Sequence, residues 1–403
     1  KVAAFNGSPR EEGNTNKAPI KTLRDLTRQQ LGFKTRDVYY PYNPRLNTYD
    51  LESDELTVVS PGIPPYNNMV VNSKNIVSDY DLFYDVMPFS IWITGTNGKT
   101  TTTQMCQYLL EEYNSVCGGN IGIPLSHLDE KKPIWILETS SFTLHYTKKA
   151  KPNIFILLPI SEDHITWHGS FEEYKLSKLK PLALMNENDI AIIPDEFSNF
   201  KTNAHVVTYK NSDELCDKFG FNKSEINFKE PFLLDAILAM TTRKIIFDEV
   251  NYELINSFKI DKHKVEEFKD KKNRLWIDDS KATNVDATIN ALVPYKEKNI
   301  HIILGGDDKG ANLEPLFQNI KDLDITVYAI GSNTKKIVEY CKEFSINVHE
   351  CEYLGIAVSK IDSNMNNESI GILSPAAASL DQFKSYAHRG EEFKKNVNNL
   401  SLN

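Results

Sequence analysis

The run Ile91-Trp92-Ile93-Thr94-Gly95-Thr96-Asn97-Gly98-Lys99-Thr100-Thr101 sets two glycines, a lysine and a row of threonines directly after an apolar strand. Glycines let backbone N–H groups approach a phosphate chain, the helix that follows presents its positive end, and the lysine adds a full charge. The hydroxyl of Thr100, next after the lysine, is the type of ligand that Mg2+ takes. The run departs from a full Walker sequence, which has glycine where this chain has Ile93. Alone, it describes either a nucleotide loop or a tight strand-to-helix turn.

Two more apolar runs end in groups that complement such a loop. Residues 134–137 lead into Glu138, and residues 154–158 lead through Pro159-Ile160-Ser161-Glu162 to Asp163-His164. Ligands of open parallel sheets bind at the carboxyl ends of the strands, so Lys99, Thr100, Glu138 and His164 are expected to converge. A carboxylate and an imidazole beside a triphosphate are suited to holding Mg2+. Singly, a strand-end glutamate is commonly a solvated cap, and a lone histidine belongs to core or surface. Lys178 follows Tyr174 by four residues and shares its helical face. By pattern alone it reads as an ordinary surface lysine.

The last third of the chain repeats the arrangement. Residues 275–277 deliver Asp278-Asp279-Ser280-Lys281-Ala282-Thr283-Asn284, residues 300–304 deliver Gly305-Gly306-Asp307-Asp308-Lys309-Gly310, and residues 370–373 deliver Ser374-Pro375 and then Ser379. Lys281 and Lys309 are placed to face an anion, or else are solvated loop lysines.

These groups need strands and helices in alternation to carry them. A chain of 403 residues exceeds one ordinary core, so two or three domains are expected. The pattern predicts an α/β protein of three domains: a Rossmann-like N-terminal domain over 1–88, a central P-loop mononucleotide-binding domain with a parallel sheet over 89–260, and a Rossmann-like C-terminal domain over 261–403. In the first, apolar runs at 2–5, 35–40 and 56–60 read as strands and 17–30 as a polar helix. The turn Asn6-Gly7-Ser8-Pro9-Arg10 with Gly13-Asn14-Thr15 resembles the flavin-phosphate loop of flavodoxin-like reductases, but reads better as a generic anion cradle for a nucleotide diphosphate, because the flavin resemblance covers fewer than about twenty residues.

A net charge of −9 argues against a protein built to coat nucleic acid or anionic membrane, and points to small-molecule partners. The five cysteines are scattered without metal-ligand spacing and read as reduced thiols of a cytoplasmic protein. No apolar run reaches the roughly 18 residues of a membrane span, and the opening Lys1-Val2-Ala3-Ala4-Phe5 is too short for a signal sequence.

Taken together, Gly95-Thr96-Asn97-Gly98-Lys99-Thr100-Thr101, Gly119-Asn120-Ile121-Gly122, Glu138-Thr139-Ser140-Ser141-Phe142, Glu162-Asp163-His164, Tyr174 and Lys178 resemble the Mur ligases of peptidoglycan synthesis. Asp279-Ser280-Lys281-Ala282-Thr283-Asn284, Gly305-Gly306-Asp307-Asp308-Lys309 and Leu373-Ser374-Pro375-Ala376-Ala377-Ala378-Ser379-Leu380-Asp381-Gln382-Phe383 resemble the members that add D-glutamate. The likeness spans residues 56–403.

The resemblance implies a reaction in which ATP phosphorylates the alanine carboxylate of UDP-N-acetylmuramoyl-L-alanine. The amine of D-glutamate then attacks, giving an amide, ADP and phosphate. It also implies residue roles. Gly95 to Thr101 hold ATP, with Lys99 on the β- and γ-phosphates. Thr100, Glu138 and His164 serve two Mg2+ ions, and Lys178 becomes a carbamate that ligates metal. Ser60, Pro61, Gly62 and Asn120 contact the UDP-sugar, and His164 is counted with them among the substrate-binding residues. Lys281, Thr283, Lys309, Ser379 and Tyr386 bind D-glutamate, while Asp279 lies on the nucleotide side. The enzyme implied is a cytoplasmic monomer.

Departures from the family pattern accompany these matches. Pro231-Phe232 stand where an adenine-side His-Asn is usual, leaving Asp235 as the nearest equivalent. Lys264 replaces an arginine, keeping charge and losing the bidentate fork. Pro159 replaces an asparagine, and the first turn lacks Gly-x-Gly. Three alternatives stay open at this point: an amide ligase with another acceptor, including one that extends folate with glutamate; a flavin-binding reductase fused to a nucleotide module; and a nucleotide sensor without turnover.

Overall fold

The computed structural model describes residues 2–6, 35–39 and 56–401. The turn that follows Asn6 and the helix-like run at 17–30 lie outside the described residues. The chain forms two compact units, Lys1–Phe228 with Phe232–Phe258, and Lys259–Asn403 with Lys229–Pro231.

The first unit holds two parallel sheets. The smaller has the order β2-β1-β3-β4, from β1 (Val2–Asn6), β2 (Thr35–Tyr39), β3 (Leu56–Val59) and β4 (Ile76–Val77). The larger has the order β10-β9-β8-β5-β7-β6. Its strands are β5 (Phe89–Thr94), β6 (Ser115–Gly119), β7 (Ile134–Glu138), β8 (Ile154–Leu157), β9 (Ile190–Pro194) and β10 (His205–Tyr209). The inner strands are apolar on both faces, with β7 and β8 buried along their whole length, as a parallel sheet covered on both sides requires. Strand order reverses at β5: the chain runs to β7 and β6 on one side, then to β8, β9 and β10 on the other. The crevice of such a sheet opens at that switch point, beyond the carboxyl end of β5.

From β5 the chain enters the helix Lys99–Leu110, continued by a 3-10 turn at Glu111–Tyr113. After Lys99 this helix opens with four consecutive threonines, and β-branched residues are poor helix formers. The threonines are accommodated through tertiary bonds. Thr102 Oγ1 donates to Asp235 Oδ1 at 2.8 Å and lies 3.1 Å from the Gly98 carbonyl, so a residue of low propensity anchors the first turn. Asp235 sits on the long helix Phe232–Phe247, which packs along Lys99–Leu110.

The second unit is one six-stranded sheet of order β11-β12-β16-β13-β14-β15, parallel except for the edge strand β11. Its strands are β11 (Glu266–Lys269), β12 (Leu275–Asp278), β13 (Ile300–Leu304), β14 (Ile325–Ile330), β15 (Asn347–Glu352) and β16 (Ile370–Leu373). Alternate residues feed two cores. Ile277, Ile302, Val327 and Ile372 pack on one face with Phe317, and Trp276, Ile303, Tyr328 and Leu373 pack on the other with Phe393. No described helix is long and apolar enough to cross a membrane.

Gly371 pairs with Trp276 across β12 and β16. A Cβ there would stand 2.5 Å from the indole, so the absent side chain is what lets the ring lie over the sheet. Gly371→Ala is expected to destabilise the protein by about 1–3 kcal/mol, the usual cost of overpacking a core. Urea unfolding of both proteins would measure it, and an unchanged midpoint would mean that the indole repacks freely.

Candidate active site

At the carboxyl end of β5 the loop 95–98 turns on two glycines with positive φ, 153° at Gly95 and 81° at Gly98. Both also lack space for a side chain: a Cβ would fall 2.4 Å from Leu158 Cβ at Gly95 and 2.6 Å from Asp235 Oδ1 at Gly98. Gly98 caps the helix Lys99–Leu110 with left-handed backbone and no side-chain bond to its first turn. The first-turn N–H groups of a helix are the ones that accept an anion. Lys99 lies back along the loop, its Nζ donating to the carbonyls of Thr96 at 2.7 Å and Gly95 at 3.0 Å.

Glu138, the last residue of β7, is buried beside this loop. Its carboxylate accepts from Thr100 Oγ1 at 2.8 Å and from Asn120 Nδ2 at 2.7 Å. Its carbonyl accepts from Asn120 N at 2.9 Å and from the Tyr80 hydroxyl at 3.2 Å. Gly119 permits that approach, since a Cβ there would lie 2.6 Å from both the Glu138 carbonyl oxygen and the Tyr80 hydroxyl. Three of the residues expected to converge, Lys99, Thr100 and Glu138, therefore do so with Asn120.

Lys178 is not a surface lysine. It sits in the helix Phe171–Leu184, 1% exposed, and its Nζ donates to the Gly95 carbonyl at 2.6 Å and to Thr94 Oγ1 at 3.4 Å. Burial, reinforced by the neighbouring Lys99 charge, holds its pKa well below the usual lysine range. Tyr174 shares the helical face, with its ring 4.7 Å from Lys178 Nζ and its hydroxyl 3.0 Å from Thr96 Oγ1. Thr96 in turn accepts from Ser161 N at 2.9 Å, which ties the loop after β8 to the glycine loop 95–98.

His164 lies on that same tie, in left-handed backbone (φ 55°), partly exposed and with its ring 4.7 Å from that of Phe142. A neighbouring group escaped the sequence reading. His168 is buried, with Nε2 3.0 Å from Ser141 Oγ and Nδ1 3.5 Å from Ser177 Oγ, and it packs against Phe142, Trp167 and Tyr174. Its place one helical turn after His164 was the available signal, but its hydrogen-bond partners come from two other helices, Ser141–Tyr146 and Phe171–Leu184.

In the second unit the loops after β12, β13 and β16 lie side by side. Gly305 N donates to the Pro375 carbonyl at 2.9 Å, and Asp307 and Ala378 exchange backbone bonds at 3.0 and 2.9 Å. Lys309 (φ 51°, exposed) and the buried Ser379 are thereby carried on joined loops. Lys281 Nζ lies 4.1 Å from the Tyr386 ring centroid, and Thr283 is exposed two residues further on. Asp279 is buried, accepting from Ser374 Oγ at 2.6 Å and Val265 N at 3.2 Å, and burial raises its pKa to about 7.

Asp235 lies beneath Gly98, bonded to Thr102, and Lys264 pairs with Asp261 at 3.0 Å. Ser60, Pro61 and Gly62 form the turn after β3, with Ile63 N donating to the Ser60 carbonyl at 3.0 Å. The Ser60 hydroxyl is buried without a hydrogen-bond partner among the described residues. The five cysteines are free thiols, four of them buried.

A parallel sheet with a glycine loop, a hydroxyl, a carboxylate and a buried lysine at its switch point defines a nucleotide-using α/β protein. Residues 93–230 match the model of the Mur ligase middle domain. The chain is 51% identical over 354 residues to the UDP-N-acetylmuramoylalanine–D-glutamate ligase of Campylobacter jejuni (strain RM1221), covering 88% of each. It is 45% identical over 366 residues to the enzyme of the same name from Helicobacter pylori (strain ATCC 700392 / 26695), covering 86% of this chain and 87% of that one. The fold is also that of the MurF ligase from Thermotoga maritima in complex with ADP, with a TM-score of 0.57 at 15% identity over 85% of this chain and 88% of that one. The chain belongs to the Mur ligase family.

Burial, with the neighbouring His145, His164 and Lys178, lowers the His168 pKa from the ordinary 6.5 to about 3. Between these values the unfolded chain binds a proton that the native state excludes, so this stabilisation is complete above about pH 6.5 and is lost as pH falls toward 3. Urea midpoints at several pH values should show that limb, and His168→Gln should flatten its slope whatever it does to absolute stability. An equally steep limb in the variant would remove His168 as its source.

Proposed function

We infer that this chain is an ATP-dependent ligase that joins D-glutamate to UDP-N-acetylmuramoyl-L-alanine in the synthesis of peptidoglycan precursors. The observation that carries the reading is the convergence of Lys99, Thr100, Glu138 and Lys178 on a glycine loop at the switch point of a parallel sheet. Transfer of a phosphoryl group to a carboxylate brings anions together, and cations and helix N–H groups are what offset that repulsion. The identity shared with the Campylobacter and Helicobacter ligases extends over most of the chain.

In this reading residues 95–101 hold ATP, and Lys99 exchanges its loop carbonyls for the β- and γ-phosphates. The alanine carboxylate oxygen attacks the γ-phosphorus as the bond to ADP breaks. The free amine of D-glutamate then adds to the acyl carbon and loses a proton. Collapse of the tetrahedral adduct breaks the carbon–oxygen bond to phosphate and leaves the amide. Ser60, Pro61, Gly62 and Asn120 orient the UDP-sugar. Lys281, Thr283, Lys309, Ser379 and Tyr386 take D-glutamate, with the Lys309 ammonium suited to its side-chain carboxylate. Asp235, Lys264 and Asp279 act on the nucleotide side.

The hydroxyl of Thr100 and the carboxylate of Glu138 form a hard oxygen donor set that fits Mg2+. Those two residues would hold one ion, and His164 with a carbamate on Lys178 would hold a second; the ions supply positive charge to the phosphate oxygens. The carbamate forms when the neutral amine of Lys178 adds to carbon dioxide and loses a proton. The depressed pKa of this buried amine keeps the neutral form accessible. Three functional segments, 1–88 for the UDP-sugar, 89–260 for ATP and 261–403 for the amino acid, complete the reading. The net charge of −9 argues against nucleic acid or membrane as partner, and the enzyme proposed is a cytoplasmic monomer.

Phosphate release from ATP and Mg2+ with UDP-N-acetylmuramoyl-L-alanine tests the function. It should require D-glutamate and fail with L-glutamate, meso-diaminopimelate or L-lysine. Release with one of these and not with D-glutamate would reassign the substrate, and none with any would overturn the reaction. Lys178→Ala should abolish turnover, with partial recovery when small carboxylic acids are added. Full activity in the variant would remove the carbamate.

A further inference from the structure

Arg389 belongs to the helix Tyr386–Asn398 and is entirely buried. Its Nε donates to Ser280 Oγ at 2.9 Å, and its Nη2 donates to the carbonyls of Ser280 at 2.9 Å and Ala377 at 3.0 Å. Nη1 is buried without a hydrogen-bond partner among the described residues, and it stands against Gly306, where a Cβ would lie 3.3 Å from it. One guanidinium thus meets the loop after β12 through Ser280, the loop after β16 through Ala377 and the loop after β13 at Gly306. Ser280 Oγ passes the connection on by donating to the Tyr386 carbonyl at 2.8 Å.

This is a costly way to use an arginine. A buried cation ordinarily recovers its lost hydration from a hydrogen-bonded carboxylate. Arg389 instead spends its donors on backbone carbonyls and a hydroxyl, while Asp278, Asp279 and Asp381 act on it only through space. Burial lowers its pKa to about 10, which still leaves it charged at neutral pH. A core this well packed could fill the same volume with an apolar side chain. What an apolar residue could not do is hydrogen-bond two strand-end loops at once while packing against the third, because only a planar fork reaches several acceptors.

Those loops carry Lys281 and Thr283, Lys309, and Ser379. We propose that Arg389 is a positioning residue for the amino-acid substrate: by fixing the spacing of the loops after β12, β13 and β16 it sets the distance between the groups that take the two carboxylates of D-glutamate. The proposal rests on the assignment of these loops to D-glutamate given above. Arg389 touches no substrate in this account. It acts through Ser280, Ala377 and Gly306.

Arg389→Lys keeps the charge and loses the fork. Steady-state phosphate release should show KM for D-glutamate raised about ten-fold or more, the scale of one or two lost charged hydrogen bonds, with KM for ATP and for UDP-N-acetylmuramoyl-L-alanine within about two-fold. Equal rises in all three, or no rise in any, would overturn the proposal. Should Arg389→Lys fail to fold, Ser280→Ala removes the acceptor of Nε and the bond to Tyr386 while leaving the guanidinium in place. It should raise KM for D-glutamate selectively by about three-fold or more, and an unselective or absent effect overturns the proposal in the same way. The unmodified enzyme is assayed alongside. If it releases no phosphate with D-glutamate, the substrate assignment falls and the proposal with it. If it turns over normally and the variants keep its KM, only the role of Arg389 falls.

Discussion

A peptide turn that offers its N–H groups to an anion must do something with its carbonyls, and in the loop 95–98 two lysines take up that task. The Gly95 oxygen accepts from both Lys99 and Lys178, and the Thr96 oxygen accepts from Lys99. One ammonium lies at the mouth of the loop and the other is buried behind it, and their mutual repulsion adds to the desolvation of the buried one. The arrangement couples loop shape to lysine chemistry. Lys178 supports the backbone as a donor, and the same burial that makes it a good donor makes its proton easy to lose.

Rigidity around this loop comes from the ends of neighbouring strands. Glu138 is held by its carbonyl as well as its carboxylate, with Tyr80 and Asn120 on the first and Thr100 and Asn120 on the second. Thr96, Ser161 and Tyr174 join the loops after β5 and β8. Hydroxyl and amide groups thus cross-brace the carboxyl edge of the sheet, where no ladder bonds remain to do so. The second unit reaches the same end by another route. Arg389 collects the backbone oxygens of its strand-end loops much as Lys178 and Lys99 collect those of the loop 95–98. In both units a long basic side chain from a following helix is the brace.

Close approach is the recurring price of these sites, and glycine is where it is met. Gly95, Gly98 and Gly119 each stand where a methyl group would strike a side chain or a carbonyl of the site itself. Gly306 occupies the corresponding position in the second unit, with the Ala378 carbonyl 2.2 Å from where a Cβ would be. The glycines that a sequence pattern treats as turn formers are here mainly spacers between braced loops.

Much of this was legible in the order of residues. Alternating apolar runs and turn residues predicted the strands β5, β7, β8, β12, β13 and β16 nearly to their ends, because burial on both faces leaves a continuous apolar signature. The strand-end positions of Lys99, Glu138, Lys281 and Lys309 followed from the same runs, and the motifs they form carried the resemblance to the Mur ligases that the Campylobacter and Helicobacter relatives bear out. Local signals could not show what holds the threonines in the first turn of the helix at Lys99, since their anchor is an aspartate far along the chain. Nor could they tell a surface lysine from a buried one at position 178, find His168 among its serines, or single out Arg389. Each of these depends on which distant backbone oxygen or hydroxyl folds against the side chain, and the sequence alone determined only what was available to be brought there.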